Sequence, residues 1–146
     1  MPNPCDACSK RSIIYLRYSG AHFCRDHFLK DVMRRFKKEL RTHDVFGRKG
    51  TLGVAVSGGK DSLLCLSLIN ELASGIEGVT LRALTIDEGI SGYRPSSVAL
   101  SRKVCEDLDV PLDVLSFKDL YGKDLDRMIA DGGPNPCSIC YARTPN

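Results

Sequence analysis

Cys5 and Cys8 are separated by two residues, and Cys24 and His27 repeat that gap after fifteen intervening positions. Zinc takes four thiolate or imidazole ligands at the corners of a tetrahedron, and a two-residue gap lets both donors of a pair turn toward one ion. The two pairs predict a zinc ribbon with ligands Cys5, Cys8, Cys24 and His27. Four protein ligands leave no position open for water, so the metal is structural. His22 competes for the fourth place, but its spacing fits a knuckle less well; it is read, like His43, as a surface residue. Cys65 and Cys105 stand alone in apolar, helix-like stretches and read as packing residues. Cys137 and Cys140 form a third pair with the same gap, suited to a redox site or a second zinc half-site.

A second constellation is Ser57-Gly58-Gly59-Lys60-Asp61-Ser62, where an apolar strand hands over to an apolar helix. At such a junction backbone N–H groups and the helix dipole make an anion site. The glycines let the main chain approach phosphate oxygens, Ser57 and Ser62 add hydroxyls, and Lys60 adds a point charge. It is not a Walker A loop, because the four-residue gap before Gly-Lys-Ser/Thr is missing.

The elements that must carry these groups follow from hydrophobic period. Residues 13–18 read as a strand, Ser19-Gly20 as a turn and Ala21-His22-Phe23 as a return strand, which makes the ribbon span residues 1–27. A helix from Asp26 to His43 follows, its buried stripe formed by Leu29, Val32, Met33, Phe36 and Leu40. Lys30, Arg34, Lys37, Lys38 and Arg41 project from its other side, a row of cations suited to a phosphate backbone. This basic helix and a linker fill residues 28–50. From residue 51 to 146 strands (51–56, 79–86, 111–115) alternate with helices (63–75, 95–108, 120–130), which predicts a doubly wound, parallel α/β sheet.

Charge divides the chain in the same way. Met1 to Gly50 holds 12 Lys+Arg against 5 Asp+Glu, and the remainder 9 against 13, so a segment of +7 precedes one of −4. A basic third on an acidic remainder predicts a polyanionic partner. With 42% hydrophobic and 27% charged residues the composition is that of a globular chain and not a disordered one. No apolar run approaches the roughly 18–20 residues of a membrane span, and Met1-Pro2-Asn3-Pro4-Cys5 is no secretory signal. Seven cysteines without such a signal point to metal or redox chemistry in a soluble, intracellular protein.

Ser-Gly-Gly-Lys-Asp-Ser after an apolar strand resembles the PP-loop of the ATP pyrophosphatases. With the Cys/Cys/Cys/His ribbon, Ile86-Asp87-Glu88-Gly89-Ile90, Gly92-Tyr93-Arg94 and Pro136-Cys137-x2-Cys140, the whole chain resembles the tRNA 2-thiolation branch of that family. The resemblance implies an ATP-dependent tRNA uridine 2-sulfurtransferase of the cytoplasm. Ser57 to Ser62 would hold the phosphates of ATP with its Mg2+, and Asp87 would lie beside the nucleotide. The uridine C2 carbonyl oxygen would be adenylated and then displaced by sulfur. Cys137 and Cys140 match the family's catalytic pair, which with a third cysteine holds a 4Fe-4S cluster. The implied partners are tRNA, a sulfur donor (sulfide, a persulfide or a ubiquitin-like carrier) and, as is common in the family, a second copy in a homodimer.

The family's sheet continues with further strands, a third cluster cysteine and a second zinc ribbon, whereas this sequence ends Tyr141-Ala142-Arg143-Thr144-Pro145-Asn146. The expectation is the N-terminal part of such an enzyme. The alternatives are another PP-loop tRNA modifier, such as a cytidine 2-thiolation enzyme (against which the ribbon argues) or a lysidine synthetase (against which Cys137 and Cys140 argue), and a non-catalytic, zinc-dependent tRNA-binding module.

Overall fold

The computed structural model describes residues 3–92, 94–132, 135 and 138, and the chain divides into two compact units, Met1–Arg48 and Lys49–Asn146. The first unit opens with strands β1 (Ile14–Leu16) and β2 (Ala21–Phe23), paired antiparallel with Ile14 opposite Phe23. Gly20 takes φ +69° at the turn between them, a conformation that favours glycine. Helix α1 (Arg25–Thr42) follows with Cys24 as its extended N-cap.

The α1 stripe holds at Val32, Met33, Phe36 and Leu40, which are half-buried, and departs from the expectation at one residue. Asp31 is buried and Phe28 half-buried, while Leu29, read from the sequence as part of the buried stripe, is 51% exposed. At about 100° per residue Leu29 and Asp31 point almost oppositely. Cys24 and His27 at the start of α1, gathered with Cys5 and Cys8, and the Tyr18–Asp31 hydrogen bond hold the Asp31 side toward the hairpin, which leaves Leu29 outside.

The second unit alternates β3 (Gly50–Ala55), α2 (Lys60–Ala73), β4 (Val79–Asp87), α3 (Arg94–Asp107) and β5 (Leu112–Ser116). The strands are parallel in the order β3-β4-β5, with Val54 beside Ala83 and Thr85 beside Val114. Right-handed crossovers in such a stepwise order put α2 and α3 on one face of the sheet, and Asn70 of α2 donates to the Leu108 carbonyl just past α3 at 3.2 Å. Val54, Val56, Ala83, Leu66, Ile69 and Val98 are buried in this layer.

The expected helix over 120–130 is instead two short ones, α4 (Phe117–Tyr121) and α5 (Leu125–Ala130). Gly122, at φ +74°, ends the first, and the Asp124 carboxylate starts the second by accepting the Arg127 N–H at 2.8 Å. Phe117 and Leu125 anchor a cluster with Ile86, Ile90, Tyr121, Met128 and Ile129. Parallel strands bring the ends of β3 and β4, and so Ser57 and Asp87, to the same rim, where such sheets take ligands. Among the described residues no helix is long and apolar enough to cross a membrane.

Candidate metal centre and phosphate loop

In the first unit the ligand atoms of Cys5, Cys8, Cys24 and His27 all lie within 4.8 Å of one another. The Cys8 and Cys24 sulfurs are 3.8 Å apart, and His27 Nδ1 lies 3.5 Å from Cys5 Sγ and 3.3 Å from Cys24 Sγ. A tetrahedron with bonds of about 2.3 Å to sulfur and about 2.1 Å to nitrogen has edges of about 3.8 and 3.6 Å. The donor set therefore fits a tetrahedral ion in size and in chemistry. Burial opposes ionisation of the Cys5 thiol, but backbone groups of Cys24 and Ala7 and the neighbouring thiols bring its pKa down to about 6. His22 stays outside the cluster: its ring packs on Tyr15 at 4.7 Å and its Nε2 meets the Asn3 side chain at 2.8 Å. Cys105 is buried, which raises its pKa, and Cys65 is half-buried; neither joins the cluster.

In the second unit the hexapeptide leaves β3 and becomes the first turn of α2. Ser62 Oγ accepts the Ser57 N–H at 3.2 Å and donates to the Gly59 carbonyl at 2.9 Å, and Ser57 Oγ accepts the Gly59 N–H at 3.3 Å. The loop thus folds around its two serines. Gly59, the helix N-cap, supplies no side-chain cap, so the first-turn N–H groups of α2 stay available to an anion. Gly58 takes φ +80°, and a Cβ there would sit 2.3 Å from the Ser97 carbonyl oxygen of α3. Lys60 is 89% exposed beside Asp61, free at the price of one weak ion pair to swing toward a ligand. A cleft of about 280 Å3 opens here, lined by Ala55, Val56, Ser57, Ser62, Ile86 and Arg94.

Arg94 and Glu88 belong to this site although the sequence assigned them no role. The Arg94 guanidinium is buried and donates through Nη1 to the Ser57 carbonyl at 3.1 Å. Its Nε pairs with Glu88 Oε2, and neither atom has another partner among the described residues. The one signal available was an acid and a base six positions apart across the β4–α3 turn. Asp87 lies at the end of β4, where its Oδ1 accepts the Gly89 N–H at 3.0 Å.

The five cations named on α1 are all exposed. Arg34, however, is engaged by Asp31, and Arg41 Nε donates to the Lys37 carbonyl at 3.3 Å. Arg35, not among the five, also bonds Asp31, at 2.8 Å, and lies 4.0 Å over the Tyr18 ring. Cys137 and Cys140 lie outside the described residues.

Two family models match the chain, and the second begins within the first structural unit. Residues 5–29 match the family model described as the N-terminal LIM domain of the 2-thiouridine synthetase TtuA, and residues 28–129 match the PP-loop domain. The tRNA 2-thiolation protein NcsA of Haloferax volcanii is 32% identical over 143 residues, 94% of this chain and 44% of that protein. Cytoplasmic tRNA 2-thiolation protein 1 of Drosophila mojavensis is 36% identical over 145 residues, 96% of this chain and 42% of that protein. The structure of the U34-tRNA thiolase NcsA from Methanococcus maripaludis, with its 4Fe-4S cluster, superposes with a TM-score of 0.84 at 34% identity, covering 95% of this chain and 45% of that one. The chain spans less than half the length of these relatives.

Proposed function

Since the chain belongs to the PP-loop family and opens with a TtuA-type LIM domain, we propose that it is the N-terminal part of an ATP-dependent tRNA uridine 2-sulfurtransferase. The observation that carries the proposal is the phosphate loop itself: Gly58 in a conformation and a space that favour glycine, ahead of the uncapped first turn of α2. That arrangement grips phosphate oxygens by backbone donors. In the reaction the uridine C2 oxygen attacks the ATP α-phosphorus and pyrophosphate leaves. A sulfur nucleophile then adds at C2, and AMP departs with the oxygen. Activation is needed because a carbonyl oxygen is a poor leaving group until it carries a phosphoryl group.

The roles of the residues follow from this chemistry. Ser57 to Ser62 hold the ATP phosphates, with Mg2+ sharing their charge, and Asp87 borders the nucleotide. The Cys3His cluster holds zinc and supplies folding energy to the first unit. The exposed cations of α1 bind the tRNA backbone. Cys137 and Cys140 handle sulfur, with the 4Fe-4S cluster of the NcsA structure as the precedent. Similarity to a protein named as cytoplasmic supports a cytoplasmic location. The sulfur donor is sulfide, a persulfide or a ubiquitin-like carrier, and the assembly is a homodimer.

The experiment is anaerobic: the chain with ATP, sulfide and unmodified tRNA, following AMP and 2-thiouridine together. tRNA-dependent AMP with thiouridine establishes the activity at this length. ATP and tRNA binding without either product would leave a binding module.

A further inference from the structure

The first turn of α3 holds the phosphate loop from two directions, and its grip points to a role for Arg94. We infer that Arg94 is the positioning residue of this loop: it fixes the Ser57–Gly58 peptide so that the Gly58 N–H faces a nucleotide phosphate, and Glu88 orients its guanidinium. The inference rests on the reading of this loop as the ATP site.

Arg94 Nη1 bonds the Ser57 carbonyl at 3.1 Å. A trans peptide sets the next N–H antiparallel to that carbonyl, and the described residues include no cis peptide. The Gly58 N–H therefore points away from Arg94. It has no hydrogen-bond partner among the described residues, so it is left for water or a ligand to meet. From the second direction the Ser97 backbone lies against Gly58, close enough to exclude any Cβ. Peptide plane and φ are thus both set by α3, before any ligand binds.

The charge arrangement fits orientation better than attraction. Glu88 neutralises Arg94 within the buried pair, so the guanidinium adds little net pull on an anion. Lys60, exposed at the loop's rim, is the cation that supplies it. A guanidinium is needed because only its planar fork serves a carboxylate through Nε and a carbonyl through Nη1 at once. Glu88 follows Asp87 directly, so the turn after β4 and the phosphate loop are joined through one side chain.

The test compares ATP with adenosine, which lacks phosphates, by amide chemical-shift titration of the 15N-labelled full chain. In Arg94→Lys, which keeps the charge opposite Glu88 but loses the fork, ATP binding should weaken about tenfold and adenosine binding by less than about twofold, the scale of one charge-assisted hydrogen bond lost at the phosphates. The Gly58 amide resonance should move even without nucleotide. Unchanged ATP affinity, or equal losses for ATP and adenosine, overturns the inference. If Arg94→Lys does not fold, Glu88→Gln decides, since it too must lower the ratio of ATP to adenosine affinity. A wild-type chain that binds adenosine but not ATP defeats the nucleotide reading itself and the role of Arg94 with it; one that binds both while the variants match it defeats only Arg94.

Discussion

The Ser91 backbone N–H donates to the Asp126 carboxylate at 2.8 Å, fastening the turn after β4 to α5. Two further contacts reinforce it: the Leu125 N–H donates to the Glu88 carbonyl at 2.7 Å, and Gly89 packs so closely on Asp124 that an added Cβ would lie 2.4 Å from the Asp124 Cβ. The bond from Ser91 holds the Asp126 carboxyl below its ordinary range. A depressed carboxyl contributes stability above its unfolded pKa of about 4, and that stability is lost as pH falls through the folded value. Asp126→Asn should therefore lower Tm at pH 7 and converge with wild type in strong acid. Parallel Tm curves for the two proteins from pH 7 to pH 3 would remove Asp126 from the account.

The two loop glycines should behave differently. Gly58→Ala meets both φ +80° and the Ser97 backbone, whereas a Cβ on Gly59 comes no closer than 3.4 Å, to Ser57 Oγ, at an ordinary φ of −80°. Urea denaturation should show a loss of about 1–3 kcal/mol for the first and within about 0.5 kcal/mol for the second. Equal losses would mean that Ser97 does not shape the loop.

Metal content separates the Cys3His set from its rival histidine. Cys24→Ser should lose the bound zinc and the folding of the first unit, because structural zinc contributes about 10–16 kcal/mol in small domains. His22→Ala should retain one zinc per chain by mass spectrometry. Zinc kept by the cysteine variant and lost by the histidine one would reverse the assignment.

Among the α1 cations, prior engagement predicts rank. Arg34 is already paired with Asp31, while Lys37 and Lys38 have no side-chain partner recorded among the described residues. In tRNA titrations against salt, Lys37→Ala and Lys38→Ala should each reduce the log–log slope by about 0.7–0.9, and Arg34→Ala by less. A uniform drop for all three would show that the Asp31 pair opens on binding.

The parts legible in sequence were those fixed by short spacing. The two ligand pairs, the hexapeptide and the strand–helix alternation each depend on residues within one turn or one strand. The apolar period of α1 holds at Val32, Met33, Phe36 and Leu40 and fails at Leu29, because the first turns of the helix are set by Cys24, His27 and the buried Asp31. The break at Gly122 was passed over because 120–130 is otherwise helical in pattern. Arg94 escaped because its partner Ser57 lies 37 residues away, and no local period records such a contact.

Ser97 against Gly58 also bears on how far the hexapeptide can be moved. A peptide covering residues 50–75 would contain every donor of the loop and none of α3. Grafted onto another strand–helix junction, the six residues would carry over their chemistry and leave behind the surface that shapes it. What transfers between proteins is accordingly the hexapeptide together with the helix turn that faces it, a unit of about forty residues in this chain, from Ser57 to Ser97.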